Sequence, residues 1–278
     1  MASKTWFVTG ASAGIGRMVT EQLLERGDRV AATARRPEVL SDLADRYGDQ
    51  LWTTSLDVTD TESLGDVVER AFADLGRIEV VYSNAGRGSV GAAEEMTVEA
   101  IDEQIALNMT APIHLLRAVL PHFRAQGGGR FIQMSTMGAH ISTPGAGMYH
   151  ASKWGVEGFL ESVIAEVEPF GVGITMVEPG IIRTAFGANL SIAPAMPEYA
   201  DGPVGQIRKY LEAVDNITAE APGAPDKVAA AIIASADTTP APRRLALGSD
   251  AYNAMRNALT HRIAELDAGR QIAASIDF

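Results

Sequence analysis

Short runs rich in β-branched and aromatic residues alternate with longer amphipathic runs along most of the chain. The short runs predict strands at residues 5–9, 29–34, 51–56, 79–83, 130–134, 173–177 and 244–247. The amphipathic runs predict helices at residues 15–26, 37–47, 60–75, 98–126, 149–168 and 225–236, the fourth with an interruption near residues 108–112. This repeated alternation predicts an α/β fold of the Rossmann type, a doubly wound parallel sheet with helices on both faces.

Two segments depart from the alternation within what we expect to be a single domain, residues 1–278. Residues 185–224 are rich in Ala, Pro and Gly with isolated apolar residues, which predicts a long loop. Because long loops inside compact domains often serve binding, we expect this segment to be a substrate loop or lid. Residues 250–278 are expected to form a C-terminal helical extension, since most of this segment is amphipathic.

Composition narrows the possible partners. The chain has 278 residues, is 46% hydrophobic and carries a formal charge of -12, without a basic cluster larger than two arginines. Nucleic acid and anionic membranes are therefore poor partners. Without cysteine, and with only five scattered histidines, the sequence predicts no disulfide and no metal site. No apolar run is long enough to span a bilayer and no signal-peptide pattern is present, so we expect a cytoplasmic protein.

A glycine-rich turn, TGASAGIG at residues 9–16, runs from the first predicted strand into the first predicted helix. Glycines let the backbone approach a phosphate closely, and the helix N-terminus presents N–H groups to negative charge, which favours a dinucleotide. The letters GASAG also fit the nucleophile elbow of serine hydrolases, but only His261 lies late enough to complete a triad. A nucleotidase phosphate loop needs Gly-Lys-Ser/Thr, whereas this chain has Gly16-Arg17-Met18.

The residues after the second predicted strand bear on the choice of dinucleotide. A carboxylate at this place accepts the ribose hydroxyls of NAD, but the chain has Arg35 and Arg36 instead. Guanidinium groups form strong charge-assisted bonds with a 2'-phosphate, so the sequence favours NADP(H) over NAD(H). The alternative is that both arginines are surface residues preceding a helix that starts at Pro37.

Tyr149 and Lys153 lie four residues apart in a predicted helix, which places a phenol and an ammonium group on one helical face. A free phenol titrates near pH ~10. An ammonium group at ~4 Å contributes about 4 kcal/mol at an effective dielectric of ~20, enough to make the phenol a proton donor and acceptor at neutral pH. A solvated lysine beside a half-buried tyrosine is the alternative.

In their order and spacing, these motifs resemble the short-chain dehydrogenase/reductase family, ordinary-length branch, over roughly residues 5–250. The family's Tyr-x-x-x-Lys pattern and its partners match Asn108, Ser135, Tyr149 and Lys153, which the resemblance implies are catalytic. The positions it implies for cofactor binding are Gly10, Ser12, Gly14, Ile15, Gly16, Arg35, Arg36, Asp57, Val58, Asn84, Ala85, Gly86, Tyr149, Lys153, Pro179, Gly180 and Thr184.

The resemblance implies an NADP(H)-dependent oxidoreductase that interconverts a ketone or aldehyde and its alcohol. Tyr149 would be the acid/base, Ser135 would bond the substrate oxygen, Lys153 would hold the ribose hydroxyls and keep the phenol acidic, and Asn108 would order a water. Family members pair through their equivalents of the helices at residues 98–126 and 149–168. A homodimer or homotetramer is therefore expected.

The substrate wall is expected to include Met137, His140, Ile141 and Phe186, a mostly apolar set that favours a bulky hydrophobic ketone or secondary alcohol. Two other functions stay open from the sequence: an NADP(H)-binding sensor or regulatory protein of the same fold, and a serine hydrolase. Sensors can dispense with the catalytic serine, tyrosine and lysine, whereas this chain keeps all three.

Overall fold

A parallel sheet forms the centre of the computed structural model, which describes residues 3–213 and 221–278. Within these residues the sheet has seven strands in the order β3-β2-β1-β4-β6-β7-β9. They are β1 (Thr5–Thr9), β2 (Arg29–Ala34), β3 (Leu51–Ser55), β4 (Val80–Ser83), β6 (Gly129–Met134), β7 (Val172–Pro179) and β9 (Arg244–Leu247). Two short strands, β5 (Ser89–Val90) and β8 (Ser191–Ile192), pair in parallel outside the main sheet. The predicted Rossmann-type fold is confirmed.

Helices cover both faces of this sheet. They are α1 (Gly14–Arg26), α2 (Ser41–Tyr47), α3 (Thr61–Leu75), α4 (Val98–Ile105), α5 (Ala111–Ala125), α6 (Gly147–Val167), α7 (Pro203–Ala213), α8 (Pro225–Ser235), α9 (Ser249–Ala268) and α10 (Arg270–Ala274). In the part of the chain that the structure describes, no helix is both long and apolar enough to cross a membrane. Association of copies through α5 and α6 stays a prediction.

Strand β1 shows how the sheet divides the core in two. All five of its residues are buried. Phe7 belongs to a hydrophobic core with residues of α3, α5 and α6, whereas Trp6 and Val8 belong to a second core with residues of α1, α2 and α8. Successive strand residues point to opposite faces, and burial on both faces requires the apolar composition seen in the sequence.

The strand order reverses at β1, which pairs with β2 on one side and β4 on the other. In open parallel sheets, ligands bind in the crevice at the carboxyl ends of the strands beside such a reversal. Thr9 ends β1 and Ser83 ends β4, so the glycine-rich turn and Asn84 enter this crevice directly.

The predicted interruption near residues 108–112 is a wide helical turn rather than a break. Residues Ala106–Thr110 form one π-helical turn, and the backbone N–H of Ala111 bonds to the carbonyl of Ala106. Pro112 lies in the first turn of α5, where its missing N–H costs little. The wide turn carries the fully buried Asn108.

Residues 185–224 contain more secondary structure than the predicted long loop. They include β8, α7 and two 3₁₀ turns, while residues 214–220 lie outside the described part of the chain. The buried face of α7 includes Val204 and the charged residue Arg208, so a helix lies within the segment that was predicted to be a loop. Their role as a substrate lid stays a prediction. Residues 250–278 form most of α9 and all of α10, in agreement with the expected helical extension.

The core beneath α5 provides a test of the packing. Leu116 is fully buried there, and Leu116→Ala is expected to lower the free energy of unfolding by about 2–5 kcal/mol because it leaves a cavity. Leu266→Ala is the matched control, since Leu266 is 75% exposed and should change the free energy by less than about 0.5 kcal/mol. Urea denaturation measures both, and equal losses would contradict the assignment of α5 to the core.

Candidate active site

The glycine-rich turn after β1 packs tightly against the end of β4. Gly10 and Gly14 have backbone φ angles of 65° and 56°, a region that disfavours residues with side chains. A Cβ on Gly10 would lie 3.0 Å from Nδ2 of Asn84, and a Cβ on Gly16 would overlap that same atom. Glycine is therefore required at positions 10 and 16 by contact with Asn84.

Thr9 and Asn84 fasten this turn in place. Nδ2 of Asn84 donates to the carbonyl oxygens of Thr9 at 3.0 Å and Gly10 at 3.1 Å. The Thr9 hydroxyl oxygen accepts from the backbone N–H groups of Asn84 at 2.9 Å and Ala85 at 3.1 Å. These four hydrogen bonds join the ends of β1 and β4 and hold the crevice between the two strands in a defined shape.

The start of α1 fits a dinucleotide pyrophosphate. Its N-cap residue, Ala13, supplies no side-chain cap, so the N–H groups of the first turn can meet an anion. A Cβ on Gly14 would lie 3.9 Å from Cβ of Thr184, which places Thr184 opposite the turn. Ser12 and Ile15 flank Gly14 with partly or fully exposed side chains.

The ends of β2 and β3 carry the residues predicted to meet the adenosine half of the cofactor. Arg35 and Arg36 directly follow β2 and are exposed. After β3, Oδ1 of Asp57 accepts from the backbone N–H of Thr59 at 3.0 Å and from its hydroxyl at 2.7 Å, which fixes the carboxylate. Val58 beside it is buried in the core.

The turn after β7 is held by the first turn of α9. Pro179 ends β7, and the backbone N–H of Ile181 donates to Oδ2 of Asp250 at 2.8 Å. The N–H of Gly180 donates to the Leu247 carbonyl at 2.9 Å, and a Cβ on Gly180 would overlap the Asp250 carboxylate. Asp250 therefore positions the segment that leads to Thr184.

Tyr149 and Lys153 lie one turn apart on α6. Burial raises the pKa of Tyr149 to about 12, although a hydrogen bond with Thr136 acts to lower it. Burial lowers the pKa of Lys153 to about 8, opposed by the charge of Glu157, and Nζ donates to the Met134 carbonyl at 2.9 Å. The expected lowering of the phenol pKa is therefore wrong for the protein alone, because desolvation of the phenolate outweighs the hydrogen bond with Thr136.

The structure brings Asn108 and Lys153 together beside Gly86. A Cβ on Gly86 would lie 3.2 Å from Oδ1 of Asn108 and 3.7 Å from Nζ of Lys153. Nδ2 of Asn108 donates to the Arg87 carbonyl at 2.8 Å, and Oδ1 accepts from the Arg87 N–H at 3.0 Å. Asn108 thereby locks the chain after β4 onto the π-helical turn.

Ser135 directly follows β6 and is buried. Its backbone N–H donates to the Val177 carbonyl at 2.7 Å, which fixes its position beside β7. Its hydroxyl donates to the carboxylate of Glu157, a residue two turns after Tyr149 on α6. The predicted catalytic serine is thus bonded to a charged side chain that the sequence analysis did not identify.

Two histidines near the site have their ring nitrogens engaged. Nδ1 of His150 donates to the Gly138 carbonyl at 2.7 Å, and Nε2 accepts from the Thr143 N–H at 3.1 Å, so the ring is a neutral tautomer. Nε2 of His140 lies 3.0 Å from Oε1 of Glu178. His140 therefore joins a buried charged cluster, which differs from the pocket-lining position predicted for it.

The serine hydrolase alternative gains no support from the structure. Ser12 is exposed in the turn before α1. His261, its candidate partner, has a side chain that is 75% exposed on α9 and lies 3.5 Å from Glu265. The histidine thus pairs with a carboxylate of its own helix.

The apolar residues predicted for the substrate side lie on two segments. The ring centroid of Phe186 is 6.0 Å from that of Tyr149, and the Phe186 side chain is 42% exposed. A Cβ on Gly88 would lie 3.2 Å from Cζ of Phe186, so this residue also packs on the chain that follows β4. Met137 and Ile141 are partly exposed in the turn after Ser135.

Glu95 fastens the segment that carries Phe186 and β8. Its Oε1 accepts from Nη1 of Arg208 at 2.8 Å and from the Met196 N–H at 2.9 Å. Its Oε2 accepts from Nη2 of Arg208 at 2.5 Å and from the Ala92 N–H at 2.6 Å. The sequence analysis did not identify this contact, because the partners lie 113 residues apart.

The chain matches known proteins along most of its length. The model of a family described as short chain dehydrogenase matches residues 4–194. Oxidoreductase BOA17 of Botryotinia fuckeliana is 34% identical over 250 residues, which cover 90% of each chain. A 3-ketodihydrosphingosine reductase of Bacteroides thetaiotaomicron is 34% identical over 197 residues, which cover 70% of this chain and 71% of that protein.

A solved structure extends the similarity to the C-terminal helices. The crystal structure of a short-chain dehydrogenase from Streptomyces avermitilis is 38% identical, and the match covers 99% of each chain with a TM-score of 0.90. The fold, including α9 and α10, is therefore shared with that protein.

The buried carboxylate of Glu95 predicts a pH-dependent stability. Its bonds to Arg208 hold the pKa of Glu95 at about 2, below the usual 4.5. A carboxyl group with a lowered folded-state pKa stabilises the fold above its unfolded-state pKa, and this stabilisation is lost as the pH falls through the folded-state value. The free energy of unfolding should therefore decline between pH 4.5 and about 2, and Glu95→Gln should flatten this decline and lower stability near neutral pH.

Urea denaturation at a series of pH values measures this effect. Glu94→Gln is the matched control, because the adjacent Glu94 carboxylate accepts an exposed hydrogen bond from the Tyr199 hydroxyl at 2.9 Å and forms no ion pair within the described residues. Parallel pH profiles for the wild type and Glu95→Gln would show that the ion pair does not hold the segment.

Proposed function

This chain belongs to the short-chain dehydrogenase/reductase family, and from that premise we propose that it is an NADP(H)-dependent reductase of hydrophobic ketones or aldehydes, using Tyr149 as the acid/base. Membership makes it an NAD(P)-dependent oxidoreductase. The observation that carries the finer proposal is that Lys153 and Asn108 meet at Gly86 after β4, with Tyr149 one helical turn before Lys153 and Ser135 directly after β6.

Each residue of the site has a distinct role in the proposed reduction. The raised pKa of Tyr149 keeps the phenol neutral near physiological pH, which is the state needed to donate a proton to the substrate oxygen. The Ser135 hydroxyl supplies a second hydrogen bond to that oxygen. Lys153 holds a positive charge next to the phenolate that remains, and Asn108 fixes the surrounding backbone. When bound, the reduced nicotinamide supplies the hydride.

Preference for NADP(H) rests on the end of β2. An acidic residue there would repel a 2'-phosphate, but this chain places Arg35 and Arg36 at that position with their side chains exposed. Two guanidinium groups can form forked, charge-assisted bonds with the phosphate oxygens. The N–H groups at the start of α1 would hold the pyrophosphate.

The hydrophobic character of the substrate rests on the residues around Tyr149. Phe186 is next to the phenol, and Leu190 packs behind it on Gly88. The Bacteroides thetaiotaomicron relative is named as a reductase of 3-ketodihydrosphingosine, which agrees with a ketone as the reacting group. For this chain we propose only the class of substrate, which is a ketone or aldehyde with an apolar body. That apolar body would contact the segment fastened by Glu95.

Tyr149→Phe tests the reaction. With NADPH and a panel of hydrophobic ketones, the wild type should consume the reduced cofactor, and the variant should lose at least ~100-fold in kcat because the proton donor is gone. Cofactor affinity, measured by fluorescence titration, should stay within a few-fold. Tyr252→Phe on the exposed face of α9 is the control. A variant that keeps more than a few per cent of the activity would contradict the role of Tyr149.

Arg35→Ala tests the cofactor preference. Loss of a guanidinium group opposite the 2'-phosphate should weaken NADPH binding by about tenfold or more while NADH binding changes little. Arg46→Ala, an exposed arginine on α2 that stacks on Tyr47, is the control. Titration of each protein with both cofactors gives the comparison, and equal losses for NADPH and NADH would rule out a phosphate contact.

A further inference from the structure

A cluster of charged side chains lies behind Ser135. Oε1 of Glu157 accepts the hydrogen bond from the Ser135 hydroxyl, and Oε2 accepts from Nη1 of Arg244. The same Nη1 also bonds Oε1 of Glu178 and lies 2.9 Å from Nε2 of His140. We call Glu157, Glu178, His140 and Arg244 the Glu157 cluster. It joins α6, β7, β9 and the turn after β6 to the predicted catalytic serine.

Arg244 lies at the centre of the Glu157 cluster. Its Nη1 donates to carboxylate oxygens of Glu157 and Glu178 and also lies beside Nε2 of His140, whose role as donor or acceptor depends on the tautomer of the ring. His140 and the two carboxylates could also suggest a metal site, since their ligand atoms lie within 4.8 Å of one another. The guanidinium group of Arg244 already takes the place of a cation among them.

The balance of charge in the Glu157 cluster favours an additional proton. The side chains of Glu157 and Glu178 are 4% and 1% exposed, and they face one guanidinium group. Oε2 of Glu178 is buried and has no hydrogen-bond partner within the described residues. Two buried carboxylates beside one guanidinium group carry a net negative charge away from water, which is costly, and a proton on one of the carboxylates removes that net charge. Burial also raises the pKa of Glu157.

The Ser135 hydroxyl has one hydrogen atom, and in the structure Glu157 accepts it. A serine that donates to a carboxylate cannot at the same time donate to a substrate oxygen. We propose that Glu157 is a positioning residue for Ser135: when Glu157 carries the cluster's proton, it donates to the serine oxygen and releases the serine hydrogen toward the substrate. This inference rests on the proposed function and adds a residue to its site.

The proton affinity of Glu157 reflects every charged group that faces it. Glu178 from β7 favours protonation, whereas Arg244 from β9 opposes it. On its own helix, Lys153 lies one turn before Glu157, and Glu161 bonds Nη2 of Arg244 at 2.6 Å. His140 lies 3.7 Å from Oε2 of Glu157 in the turn after β6, and a positive charge on its ring would oppose protonation.

Glu157→Gln imitates the protonated residue, because an amide can donate to the Ser135 oxygen through nitrogen and accept from Arg244 through oxygen. We expect the ratio of its kcat to that of the wild type, for ketone reduction with NADPH, to rise as the pH is raised through the titration of Glu157, whose pKa burial raises above its usual 4.5. The rise approaches tenfold per pH unit above the Glu157 pKa, since only the wild type loses its proton. Glu157→Leu has no donor and should lose kcat at every pH.

The direction of the pH dependence distinguishes an effect of Glu157 on Ser135 from an effect of Glu157 on Lys153. The Glu157 charge raises the pKa of Lys153, so its removal would deprotonate Lys153 earlier and make the ratio fall with pH. Glu161→Gln is the matched control, because this carboxylate also bonds Arg244 but does not contact Ser135, and its ratio should not depend on pH. A flat or falling ratio for Glu157→Gln, or equal losses in Glu157→Gln and Glu157→Leu, would overturn the proposal.

An infrared measurement separates this proposal from the proposed function. Difference spectra of the substrate-free protein between about pH 6 and about pH 10 should show a protonated carboxyl C=O band that Glu157→Gln loses and Glu161→Gln keeps. If the wild type reduces no ketone but shows this band, the proposed function fails and the proton on Glu157 stands. If the wild type reduces ketones but lacks the carboxyl band, or if the kcat ratio of Glu157→Gln to wild type does not rise with pH, the role of Glu157 fails and the proposed function stands.

Discussion

The seating of α6 against the ends of β6 and β7 is the constraint on which the site depends. Tyr149, Lys153 and Glu157 occupy successive turns of this helix, so one rigid element sets their spacing. Val156 and Leu160 anchor the helix in the core beneath the sheet. On the polar face of α6, Lys153 donates to the last carbonyl of β6 and Glu157 accepts from Ser135. These hydrogen bonds join that face of the helix to the ends of the strands.

The local sequence pattern was sufficient to predict the fold and the residues that line the crevice. The predicted bounds of β1, β2 and β9 agree with the structure. Strands β1 and β2 are buried on both faces and therefore read as continuous runs with few polar residues. Close approach of the glycine-rich turn to a phosphate stays a prediction, and the structure adds a second reason for glycine at position 16, its contact with Asn84. Tyr149 and Lys153 were found because their spacing matches one turn of helix.

The features that could not be predicted from the sequence depend on contacts between residues that are far apart in the chain. Glu157 looked like an ordinary helical carboxylate, and only β9, almost ninety residues later, brings Arg244 against it. The burial of Arg208 on helix α7 likewise depends on Glu95, a partner more than one hundred residues earlier in the chain. The pKa of Tyr149 was expected to fall, but the sequence carries no measure of how far the phenol is withdrawn from water.

The C-terminal part of the chain belongs to the site through Asp250, which bonds the turn after β7. Strand β9 and this carboxylate come after every residue predicted to bind the cofactor. Loss of the segment that begins with β9 would therefore leave every one of those residues in the chain but remove the contacts that fix the turn at Gly180.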